Sequence, residues 1–127
     1  NLKYDPKVLE PVQSSGEVYK KRTMPEGITV INNDNYSPIT VVSNDLEKGK
    51  LCFGKVYLDM NSLKNSGFTE NSGVLGEISF RVLSEEKTEI SFERIPSVSG
   101  NVLGALIFDW DGNEIQGLSV QESVVIN

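Results

Sequence analysis

Apolar and polar residues alternate over short runs along most of this chain, and clusters of Gly, Pro, Asn and Asp separate the runs. That pattern belongs to strands with one wet face. The cleanest run is Val74 to Leu83, where Val74, Ile78, Phe80 and Val82 alternate with Glu77, Ser79 and Arg81. Thr88 to Glu93 repeats it, with Ile90 and Phe92 inward and Glu89, Ser91 and Glu93 outward. Ile39 to Ser43 and Lys50 to Leu58 are joined by Asn44 to Gly49, which predicts a hairpin with a longer, Gly-containing loop. In the second of these runs Leu51 and Phe53 point one way, and Cys52, Gly54 and Val56 the other.

Directly after this run the period changes. Asp59 offers a helix N-cap, Met60 and Leu63 stand three apart on one helical face, and Gly67 can end the helix. One short helix over about residues 59–66 is therefore expected in an otherwise all-β chain. Asn1 to Tyr4 reads as the end of a strand closed by the Asp5-Pro6 turn. Val8 to Val12 contains Pro11 and is an edge strand at most. Gln13 to Gly27 reads as a loop or flap, Ile28 to Ile31 as a short strand, and Asn32 to Asn35 as a polar turn. Ile95 to Gly104, apolar but rich in turn formers, predicts a protruding flap. Ala105 to Trp110, the Asp111-Gly112-Asn113 turn and Glu114 to Ile126 predict a final hairpin and terminal strand. Short strands at this spacing give a β-sandwich, and 127 residues make one domain.

Charge and residue usage narrow the function. A formal charge of −6 argues against nucleic-acid binding, because phosphate attraction needs a basic face. No apolar run approaches the ~20 residues of a membrane span, so direct membrane insertion is not expected. The chain has no histidine, which removes Ser-His-Asp and Cys-His catalysis and the commonest transition-metal ligand. Among the 18 acidic residues, Asp109 and Asp111 form the tempting carboxylate pair, but Asp111-Gly112 is a hairpin signal. Their glycine is also misplaced for a calcium loop. Asn35-Tyr36-Ser37 fits the glycosylation pattern without further support. Trp110 and the tyrosines at 4, 19, 36 and 57 are too scattered to predict the flat ring strip of a carbohydrate-binding module, which stays as the alternative function. Cys52 alone cannot form an internal disulfide and reads as a small half-buried apolar residue.

What remains is surface. Cys52, Gly54 and Val56 give one sheet face a smooth, uncharged character. Met60 and Leu63 on the helix and Ile95 and Val98 in the flap add apolar residues without an evident core assignment. Either a second layer covers them or they form a protein interface.

The segments LKYDPKVLEPV (Leu2 to Val12), INNDNYSPITVVSNDLEKGKLCFGKVYLDMNSLKNSG (Ile31 to Gly67), GVLGEISFRVL (Gly73 to Leu83) and SGNVLGALIFDWDGNEI (Ser99 to Ile115) fall in the order of a known family. Over essentially its whole length the chain resembles a type II cohesin, the receptor module of cellulosomal scaffoldins. The helix directly after a strand, Asp59 to Ser66, is what sets type II-like sequences apart from type I. The resemblance implies a flattened jelly-roll β-sandwich with β-flaps and no catalysis. It implies an extracellular place, on the bacterial surface or in a secreted cellulosome, and a role in the assembly that degrades cellulose. The implied partner is a calcium-loaded type II dockerin, often with an adjoining module, of a scaffoldin or enzyme. The calcium sits in that partner, and no cofactor is expected in this chain.

The dockerin would lie across the sheet formed by Asn1 to Tyr4, Ile39 to Asn44, Lys50 to Leu58 and Thr88 to Glu93. On this sequence that points to Lys3, Val42, Asn44, Cys52, Gly54, Val56, Ser91 and Glu93 on the sheet, with Met60, Leu63, Ile95 and Val98 at the rim. Two departures from the family are expected to matter. Members carry further strands before LKYDP, so residues 1–127 read as a single cohesin-like domain lacking its N-terminal strands. Cys52 stands where relatives tend to carry a polar residue, which would shift dockerin preference.

Overall fold

The computed structural model of the chain describes residues 1–19, 39–67, 77–98 and 100–127. Among these residues the elements run β1 (Leu2–Lys3), β2 (Leu9–Val12), β3 (Ile39–Asp45), β4 (Lys50–Val56), α1 (Met60–Ser66), β5 (Ser79–Val82), β6 (Thr88–Phe92), β7 (Arg94–Ser97), β8 (Gly100–Leu103) and β9 (Ser123–Ile126). β3, β4, β1, β6 and β9 form one antiparallel sheet in that order, β2 pairs with β5, and β7 with β8.

Alternation builds the core. Val42 and Leu51 come from the inner face of the five-stranded sheet, and Tyr4, Val8, Leu9 and Tyr19 close over them. Leu2, Phe53, Ile78, Phe80, Ile90 and Ile126 pack around this cluster, with Tyr4 and Phe80 edge to face at 5.5 Å. Each fully buried aliphatic side chain contributes about 1.5–3 kcal/mol. The sandwich expected from the strand pattern is the observed architecture.

The β3–β4 hairpin depends on Gly49. Its φ is +61°, and a Cβ there would meet the Tyr4 carbonyl oxygen at 2.0 Å. The Tyr4 N–H also donates to the Gly49 carbonyl at 2.9 Å, so the turn is bound to the end of β1. Glycine allows this approach because it has neither a Cβ nor a penalty at positive φ.

The helix forms as its boundaries predict. The Asp59 carboxylate accepts from the Ser62 N–H at 3.1 Å, and Gly67 caps the other end at φ 69°. The hydrogen bonds from Ser62 hold the Asp59 carboxyl below its ordinary value of 3.8. A second carboxyl, that of Asp109, is lowered by hydrogen bonds from Asn113 in the 109–113 turn. Groups lowered in the fold stabilise it above their unfolded pKa, and that contribution is lost as pH falls through the folded value. Melting temperature is therefore expected to fall on acidification below about pH 4. Asp59→Asn should weaken this pH dependence; a melting profile identical to the parent's would show that the cap does not contribute.

Several details depart from expectation. Val82, the last residue of β5, opposes the buried Leu9 and so keeps the face of Phe80, yet it is 59% exposed. Among the described residues β5 pairs with β2 alone. Cys52 is exposed, not half-buried, because it shares the outer face with Gly54. The final hairpin is reduced to a bridge between Phe108 and Glu114, and the terminal strand β9 pairs with β6 instead. The Asp109 carboxylate caps its own turn, accepting from the N–H groups of Asp111 and Asn113. The strand expected at Ile28 to Ile31, residues 74–76 of the Val74 run and the Asn35 motif lie outside the described residues.

Candidate functional site

The five-stranded sheet has one face on the core and one face open. Residues directly opposite in an antiparallel pair share a face, so the register assigns the open face without ambiguity. Ile39 opposes Val56, Val41 opposes Gly54, Ser43 opposes Cys52, and Asp45 opposes Lys50. Lys3 opposes both Lys50 and Ser91. Cys52, Gly54 and Val56 are exposed there, as the alternation predicts, and Lys3 lies with them. Glu93 follows Ser91 on the same face, and its carboxylate meets the Lys50 ammonium at 2.7 Å.

Three of the proposed contact residues are not on this surface. Val42 opposes Phe53 and is fully buried; Asn44 opposes Leu51 and is 3% exposed. Both belong to the core layer, since the hairpin pairs odd positions of β3 with even positions of β4. Leu63 is also corrected, being 1% exposed because α1 turns that side of its apolar stripe inward. Met60 on the same helix is half-buried, as is Ile95 in the β7–β8 flap, while Val98 at the flap's turn is 86% exposed. The backbone N–H of Val98 donates to the Glu114 carboxylate at 3.1 Å, which holds the flap to the turn after Trp110.

Ile39, Val41, Ser43, Asp45 and Lys50 are among the outer-face residues that sequence reasoning missed. The signal was available: counting alternation across the hairpin puts Ser43, not Val42 or Asn44, beside Cys52. Asn44 instead serves the interior. It accepts from the Tyr4 hydroxyl at 2.7 Å and donates to the Tyr19 carbonyl at 2.9 Å. Burial raises the Tyr4 phenol above its ordinary value of 10.0, which keeps it protonated as the donor.

Gly54 stands on the open face in β4, opposite Val41 of the edge strand β3, with a negative φ and open space where a Cβ would stand. The fold does not require glycine there, and glycine inside a strand costs roughly 0.5–1 kcal/mol. Interior strand glycines accompany bulges, tight bends or the close approach of a ligand or another backbone, and the unbroken β3–β4 register shows no bulge here.

Among the described residues no group of three His, Cys, Asp or Glu side chains is placed to hold a metal ion. The rings form no shared platform either. Tyr4 and Tyr19 are buried, and the Tyr57 ring lies under the Lys55 ammonium at 5.1 Å. Trp110 is half-buried, and Tyr36 lies outside the described residues.

Residues 1–106 match the family model of the cohesin domain. A type II cohesin domain from the cellulosome of Acetivibrio cellulolyticus superposes with a TM-score of 0.83 at 44% identity, over 99% of this chain and 74% of that one. The cohesin of a type II cohesin–X-dockerin complex from the same organism, an N-terminal interface mutant, superposes at 0.76 and 28% identity, over 91% of this chain and 70% of that one. Cell surface glycoprotein 1 of Acetivibrio thermocellus is 38% identical over 121 residues, 94% of this chain. The chain spans only 5% of that protein's length. With five-sixths of its length matched by the family model and its sheets superposing on solved members, the chain belongs to the cohesin family, whose modules are non-catalytic protein-interaction domains.

Proposed function

We propose that this cohesin is the receptor for a type II dockerin, which it takes onto the open face of the five-stranded sheet. The observation that carries the reading is Gly54, small without structural need on that face. Cys52 and Ser43 beside it are small, and Ile39, Val41 and Val56 give the neighbouring ground an aliphatic character. Burying smooth aliphatic ground beside polar groups is how protein interfaces concentrate their affinity. The solved relative in complex with an X-module–dockerin supports the same kind of partner, with an adjoining module. The relative named as a cell surface glycoprotein supports an extracellular, surface-attached setting. Residues 1–127 are read here as one binding module.

The expected calcium belongs to the dockerin, so chelation acts through the partner. Titration calorimetry against a panel of type II X-module–dockerins, with and without a chelator, tests this. Tight one-to-one binding that disappears on chelation is expected. A folded sample that binds no member of the panel would sink the receptor reading, and binding that survives chelation would remove calcium from it.

A further inference from the structure

Resting on that receptor reading, we infer that the partner seats an acidic side chain at Lys3, and that Lys3 selects among dockerins by this contact. The register sets Asp45, Lys50, Lys3, Ser91 and Ser123 in one line across the sheet. Moving along β3 and β4, the next pair outward is Ser43 with Cys52, then Val41 with Gly54, then Ile39 with Val56. Within three residue pairs the face changes from ionic to aliphatic.

The charges at the ionic end are unequally satisfied. Glu93 takes Lys50 at 2.7 Å, and Asp45 lies 3.4 Å from Lys48. Lys3 stands directly beside Lys50, and like charges in opposed positions on neighbouring strands repel. Lys3 makes no ion pair with any described residue, and Glu89, the next outward residue of β6, does not reach it. A lone cation is thus displayed on the central strand of a chain with net charge −6. Its side chain is exposed. A partner covering it must supply an anion or strip the ammonium of water without compensation, which is costly. A docking segment with a carboxylate at one end and aliphatic side chains at the other matches both halves of the face.

Calorimetry of the parent, Lys3→Gln and Lys3→Glu against the same panel of type II X-module–dockerins, at low and high salt, tests this. For a bound dockerin, affinity is expected to fall about tenfold for Lys3→Gln and about a hundredfold for Lys3→Glu. Lys3→Gln should also show a shallower salt dependence, with melting temperatures unchanged. A dockerin in which one surface Asp or Glu is replaced by Lys should recover the binding of Lys3→Glu. Parent binding with both variants unaffected would overturn the role of Lys3 and leave the receptor reading standing. Weakened binding that no acidic reversal recovers would overturn the charge pairing. No binding by the folded parent would overturn the receptor reading and this inference with it.

Discussion

Gly54→Arg is expected to abolish dockerin binding and leave the domain folded. The position is an exposed strand site with no heavy atom within 4 Å of where a Cβ would stand and no positive φ, so a side chain costs the fold nothing. On the partner's side the effect is large. An arginine between Cys52 and Val56 on this face holds the docking segment off the sheet and leaves both uncovered. Substitutions that prevent a closely packed, desolvated contact remove roughly 3 kcal/mol, about two orders of magnitude in Kd. Gly54→Val separates the two demands on this residue. A β-branched side chain should raise stability by roughly 0.5–1 kcal/mol, because interior glycine weakens a strand, while still weakening binding. Melting curves and calorimetry on both variants check this. Unchanged affinity in Gly54→Arg would move the binding site to another face.

Much of this site was legible in the residues, because period-two alternation is a local property. Leu51, Phe53, Ile90 and Phe92 went inward as read, and Cys52, Gly54 and Val56 outward. The helix was legible through Asp59 and Gly67, since capping chemistry is also local. What failed depended on relations between distant segments. Val42 and Asn44 were assigned outward although hairpin register places their strand's odd residues beside Cys52. Leu63 was assigned to the rim because periodicity identifies an apolar stripe without saying what covers it. Lys50 is a strand end by local pattern, and its pairing with Glu93 needs β1 to bring β4 and β6 within reach. The terminal strand shows the same limit: Ser123–Ile126 was recognisable as a strand, but its partner is β6, some thirty residues earlier.

Asn44 gives the sharpest test of that correction. Asn44→Ala removes the acceptor for the Tyr4 hydroxyl and the donor for the Tyr19 carbonyl, both in the buried cluster. Each buried group left without a partner costs about 1–3 kcal/mol, so a loss of roughly 3 kcal/mol is expected. Against a total stability of about 5–15 kcal/mol this is a severe change. Tyr4→Phe removes one of the two bonds and should cost less, and the double variant should be less damaging than the sum, because the pair shares a bond. The phenol adds a pH signature. Its folded pKa is raised, so its contribution is present below the ordinary value of 10.0 and declines as pH rises above it. Tyr4→Phe should reduce this alkaline loss. Dockerin affinity of the molecules that remain folded should be close to the parent's, because Asn44 presents nothing to the open face. If Asn44→Ala instead melted like the parent and bound dockerin poorly, Asn44 would be a contact residue, and the inner face of β3 would have to open for binding.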